Sequence, residues 1–229
     1  MESSDCTVLE QVFRESFPDE WGIKVLQALD YAYKETNEYC RSPRFGLSEA
    51  RDTRSHNVRG IFENQLRIIS SQYPGVSAES RFNKKKSSSH TWVKSGSLYL
   101  TASSVHKPSD KPRFGVFRDI YLNQSNGQLE LFETGENFRE NDSIYAILLY
   151  GPSQAYIPSF VRVAFPCRHW SKYIESIDLL KKYPGIIHQV APIEEMQEPS
   201  IEKLPEENIP QPQKPGIRRL PKQAGGQME

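Results

Sequence analysis

The densest run of chemically useful side chains is Arg81-Phe82-Asn83-Lys84-Lys85-Lys86-Ser87-Ser88-Ser89-His90-Thr91-Trp92. Arginine and lysine neutralise phosphates, seryl and threonyl hydroxyls donate to phosphate oxygens, and a ring such as Trp92 or Phe82 can stack on a base. A second basic segment, 106–113, brings Lys107, Lys111 and Arg113. Arg54 and Arg59, in a helical segment upstream, extend the same chemistry. The competing reading makes both segments solvated hairpin connections whose charges keep sheet edges from pairing.

Net charge alone hides this pattern, because 29 Lys and Arg balance 29 Asp and Glu. Between Arg51 and Ile120 stand thirteen basic residues against five acidic ones, whereas between Tyr121 and Glu207 seven basic residues face thirteen acidic ones. That asymmetry is the ground for expecting a nucleic-acid-binding protein, with DNA and RNA not distinguished.

A magnesium-dependent nuclease is the enzymatic alternative. Such enzymes gather carboxylates, often with a lysine, around a metal that activates water. The candidates are Glu63, Glu79, Asp119 and Lys94. Asp119 and Glu130 suggest a pair on successive strands, but a hairpin turn at Asn126-Gly127 sets them about 13 Å apart, too far for one metal. Cys167 and His169 stand without a second ligand pair, so no resident metal is expected. The histidines are scattered, and the chain has no Gly-x-Ser-x-Gly elbow, P-loop or Gly-x-Gly-x-x-Gly fingerprint. No cofactor is expected beyond magnesium in the nuclease reading.

Three helical patterns and a block of strands would position these residues. Trp21, Val25, Leu29 and Tyr33 mark a helix over 18–40, and Val58, Phe62, Leu66 and Ile69 mark one over 48–72. Residues 76–165 read as strands. In that block 92–105 is taken as one strand, which puts segments 81–91 and 106–113 at its opposite ends. Alternation of Phe114, Val116, Ile120 and Leu122 predicts a strand over 114–124, continued by the hairpin into 128–133. Arg118 falls on its apolar face, with Glu133 as expected ion-pair partner. Ile144–Tyr150 is apolar on both faces, as a central strand should be. Trp170, Tyr173, Ile174, Ile177 and Leu180 predict a closing helix over 168–183. Two N-terminal helices, a mostly antiparallel sheet of about six strands and one C-terminal helix make an α+β domain over residues 1–189.

From about residue 190 the composition shifts. Seven of the sixteen prolines lie between Ala191 and Gln223, and no aromatic residue follows Tyr183. Such a segment buries too little apolar surface to offset its conformational entropy, so 190–229 is expected to be a disordered tail. A proline-rich tail gives the third reading, a protein-interaction adaptor that docks through 190–229. With 229 residues, 37% hydrophobic, no apolar run near 20 residues and three cysteines at wide spacing, the chain is expected to be cytoplasmic, with no membrane contact.

Overall fold

The computed structural model describes residues 7–42, 44–83, 86, 88–125, 143–167 and 170–187. The first element was not foreseen. Helix α1 (Val8–Ser16) starts at Thr7, whose side chain accepts a hydrogen bond from the Glu10 amide, a Thr-x-x-Glu start visible in the sequence. It buries Leu9 and Phe13, one turn apart. Phe13 packs near Phe17, and Phe17 stacks on Trp21 with ring centroids 4.1 Å apart, so a ladder of aromatics carries the chain into α2 (Asp19–Cys40). The two long helices follow the predicted stripes. Helix α3 (Leu47–Ser70) buries Val58, Phe62, Leu66 and Ile69, and the indole of Trp21 donates to Ser70 Oγ at 3.1 Å.

The sheet has six strands in sequence order: β1 (Val76–Phe82), β2 (Ser89–Ser95), β3 (Leu98–Ser104), β4 (Ile144–Gly151), β5 (Phe160–Pro166) and β6 (Tyr173–Asp178). All neighbours are antiparallel except β3 and β4, which run parallel. Helix α4 (Val116–Gln124) lies in the connection between that parallel pair, as a parallel crossover requires. A short last helix, α5 (Leu179–Lys182), starts at Asp178, whose carboxylate accepts from the amides of Leu180 and Lys181. The fold is α+β, and none of the helices among the described residues is long and apolar enough to cross a membrane.

Two layers of side chains cover the sheet. Leu100, Ala146, Leu148, Val161, Val163 and Ile177 face α1–α3 and form the main core. Tyr145, Ile147, Leu149, Phe160 and Ala164 point the other way, into a smaller core with Leu122 of α4. Both faces of β4 are buried, as its unbroken apolar run predicts.

Three local readings need correction. Residues 92–105 are not one strand: they turn at Gly96, whose φ of +55° suits glycine, and return as β3. Residues 116–124 form helix α4 rather than part of a strand, with Phe114 and Gly115 preceding it. Alternation there competes with a helical stripe of Phe117, Arg118, Tyr121, Leu122 and Ser125. Phe114, Val116 and Ile120, placed inside by the strand reading, are exposed. Residues 168–183 do not form one helix: Tyr173–Asp178 pairs with the edge of β5 instead, and among the described residues of this range only Leu179–Lys182 is helical. Its apolar spacing fits either period, and β-branched Ile174 and Ile177 suit the strand. The hairpin at 126–127, the strand 128–133 and the tail lie outside the described residues.

Candidate functional site

The turn at Gly96 changes where the basic segments sit. β2 pairs with β3 from Trp92↔Thr101 to Ser95↔Leu98, so the chain leaves β3 at the same end of the sheet where it enters β2. The described residues of the β1–β2 tip (83, 86 and 88) and the segment after β3 (105–115) therefore share one end instead of lying at opposite ends. The tip is tied by the Asn83 amide donating to Ser88 O and the Lys86 amide to Asn83 O, both at 2.9 Å, with Lys86 in the left-handed region (φ +54°).

Helix α4 joins the two segments. Phe117 stacks on His90 with centroids 3.7 Å apart and planes 10° from parallel. The Tyr121 hydroxyl lies 3.2 Å from His90 Nε2 and accepts a long hydrogen bond from Arg81. Arg118 is buried, and its Nη1 donates to Arg113 O at 2.6 Å, which anchors the basic segment to the helix. Glu133, the expected ion-pair partner, lies outside the described residues. Burial pulls the Arg118 pKa below the ordinary arginine value, while the nearby Tyr145 hydroxyl acts the other way. His90 is also buried, and desolvation, followed by the positive charges of Arg118, Arg59 and Arg81, lowers its pKa to about 4. It is therefore neutral near pH 7 and adds no charge to the site.

The cations divide into two sets. Arg54 bonds to Asn37 and to Ala155 O and lies over the Tyr156 ring, which makes it a tie between α2, α3 and the segment after β4. Arg59 pairs with Glu63 at 2.7 Å and bonds to Ser89 O. Arg81 pairs with Glu79, and its guanidinium stacks 3.6 Å from the Trp92 ring centroid. Trp92, tilted against Tyr99 on its other neighbour strand, is 6% exposed and offers no open face to a base. Lys86, Lys107, Lys111 and Arg113 form the second set. They are exposed, and none has an ion-pair partner among the described residues. Lys84 and Lys85 lie outside the described residues.

Two open rings accompany the second set. Phe82, the last residue of β1, is 66% exposed, and Phe114, directly after Arg113, is 79% exposed. The strand reading of 114–124 hid Phe114 by assigning it to the core. Its place before Gly115, the N-cap of α4, was the available signal.

The carboxylates of the nuclease reading do not converge. Glu63 lies on the helical side of the sheet, where its Oε2 accepts from the Thr91 amide at 3.1 Å. Glu79 is on the opposite face with Arg81, and Asp119 accepts from Trp170 Nε1 at 2.9 Å. Lys94 lies 5.2 Å from the Tyr99 ring centroid. No group of three His, Cys, Asp or Glu among the described residues is placed to hold a metal ion. Comparison of the chain with protein-family models, with curated proteins and with solved structures finds no match in any of the three.

Proposed function

We propose that this protein binds single-stranded nucleic acid at the sheet end formed by the β1–β2 tip and segment 105–115. Lys86, Lys107, Lys111 and Arg113 hold phosphates, Lys84 and Lys85 join them on the sequence argument, and Phe82 and Phe114 stack on unpaired bases. The observation that carries this reading is the turn at Gly96. It gathers at one end two basic segments whose four described cations have no ion-pair partner among the described residues. Strands lie about 4.8 Å apart, so the width of the sheet suits the roughly 4–16 nucleotides that single-strand binding folds engage. The reading carries a cytoplasmic location with it, on the sequence grounds given above.

Fluorescence anisotropy with a labelled thymidine oligonucleotide tests it. Replacing Lys86, Lys107, Lys111 and Arg113 together by alanine is expected to weaken binding by about tenfold or more. Phe82→Ala and Phe114→Ala are each expected to cost about 1–3 kcal/mol of affinity. Wild-type affinity in the cation variant would remove the proposed contact surface.

A further inference from the structure

The segment after β3 also builds a second feature. Its Lys111, with Pro108 and Ser109, walls a cleft of about 570 Å³. Arg162 of β5 and Tyr173 and Ser176 of β6 line it from the sheet, and Trp170 and Lys172, from the connection before β6, complete it. Arg162 and Ser176 sit here because alternation along β5 and β6 turns them away from the main core, on the same face as Phe160 and Ala164. The volume falls within the range of small-ligand sites.

The lining chemistry selects an anion with a flat ring. Lys111, Arg162 and Lys172 are cationic, and no carboxylate lines the cleft among the described residues. Arg162 has spare capacity. Its Nη2 reaches Asp178 only at 3.5 Å, and its buried Nε has no hydrogen-bond partner among the described residues. The Nε is itself enclosed, but the side chain is 32% exposed, and the open part of its planar fork fits phosphate oxygens. Trp170 supplies the ring. Its backbone holds φ at +53°, a conformation a bulky residue rarely adopts and one that clusters at ligand sites. The indole is fixed by its bond to Asp119 Oδ1 and lies edge-on to Tyr145, with centroids 6.3 Å apart. Tyr173 is fixed as well, its hydroxyl donating to Asp110 O at 2.8 Å. The aromatic walls are thus held in place by protein contacts, Arg162 keeps a long ion pair with Asp178, and Lys111 and Lys172 have no ion-pair partner among the described residues.

We propose that this cleft binds a nucleotide, with the phosphate held by Arg162, Lys111 and Lys172 and the base against Trp170. The nucleotide comes either free or as the phosphorylated end of a strand. The inference stands apart from strand binding at the sheet end, and Lys111 is the residue the two surfaces share.

Isothermal titration calorimetry of the full chain with AMP, adenosine and inorganic phosphate tests it. AMP is expected to bind more tightly than either part. Lys172→Glu, at an exposed side chain with no hydrogen bond or ion pair among the described residues, is expected to weaken AMP about tenfold or more. Arg162→Gln should weaken AMP and phosphate alike, with circular dichroism melting checking its fold, and Trp170→Leu should weaken AMP while sparing phosphate. Absence of AMP binding at millimolar concentration, or equal AMP affinity in wild type and Lys172→Glu, would overturn the proposal. Competition by a 5′-phosphorylated oligonucleotide over its 5′-hydroxyl form assigns the strand end, and AMP binding without that preference assigns the free nucleotide. Triple replacement of Lys86, Lys107 and Arg113 by alanine keeps the two readings distinguishable: it should leave AMP binding intact while weakening the oligonucleotide.

Discussion

Glu63 illustrates how a side chain that looks catalytic can be fully occupied by structure. It is 7% exposed, one oxygen pairs with Arg59, and the other receives the Thr91 amide, so it fastens α3 to β2. Glu63→Ala strands that buried amide and releases Arg59, and should destabilise the fold by about 1–3 kcal/mol in urea unfolding. Glu63→Gln, which keeps an acceptor for Thr91, should cost less. His90 gives a pH signature. Its folded pKa of about 4 lies below the unfolded value near 6.5, so between those values only the unfolded chain takes up the proton. Above about 6.5 the group is neutral in both states and without effect. As pH falls toward 4, stability is lost, roughly 2–3 kcal/mol in all. His90→Phe, which keeps the stack on Phe117, should remove that part of the pH dependence in paired denaturant titrations. An unchanged difference between pH 7 and 4 would mean that His90 protonates in the folded protein.

At the scale of elements, legibility followed the number of periods each segment could satisfy. Helices α2 and α3 carry stripes over about three turns or more, and the continuous apolar run of β4 has only one reading, so both were recoverable from residue order. Residues 114–124 were not, because Phe114, Val116, Ile120 and Leu122 fit a strand while Phe117, Tyr121 and Ser125 fit a helix. Packing decided it: α4 buries Arg118 and Leu122 against the smaller core and leaves Val116 and Ile120 outside. Residues 173–178 were likewise settled by an available strand edge on β5, which local spacing does not reveal. The site was only partly legible for the same reason. The basic residues were visible in the sequence. Their meeting at one end depended on reading Ser95-Gly96-Ser97 as a turn. The end of β4 shows how tightly such elements meet. A Cβ on Gly151 would stand 2.0 Å from Val105 O, a backbone atom that cannot swing aside. Gly151→Ala should therefore lower the melting temperature sharply, at a cost of about 3 kcal/mol or more. A near-native melting temperature would show that the segment after β3 yields readily at this point.

At the scale of the molecule, overall neutrality says little about function, because what counts is which charges remain after pairing. Arg59, Arg81 and Arg54 are consumed by the fold, whereas Lys86, Lys107, Lys111 and Arg113 have no ion pair among the described residues. Salt dependence reads that remainder directly, since each phosphate neutralised on a single strand contributes about −0.7 to the slope of log K against log salt. The decisive measurement is therefore oligonucleotide affinity across a salt series for the wild-type chain and for the variant with those four residues replaced by alanine. The account predicts a slope of roughly −3 or steeper for the wild type and a much shallower one for the variant. Equal slopes in the two proteins, or no binding by the wild type at low salt, would contradict it.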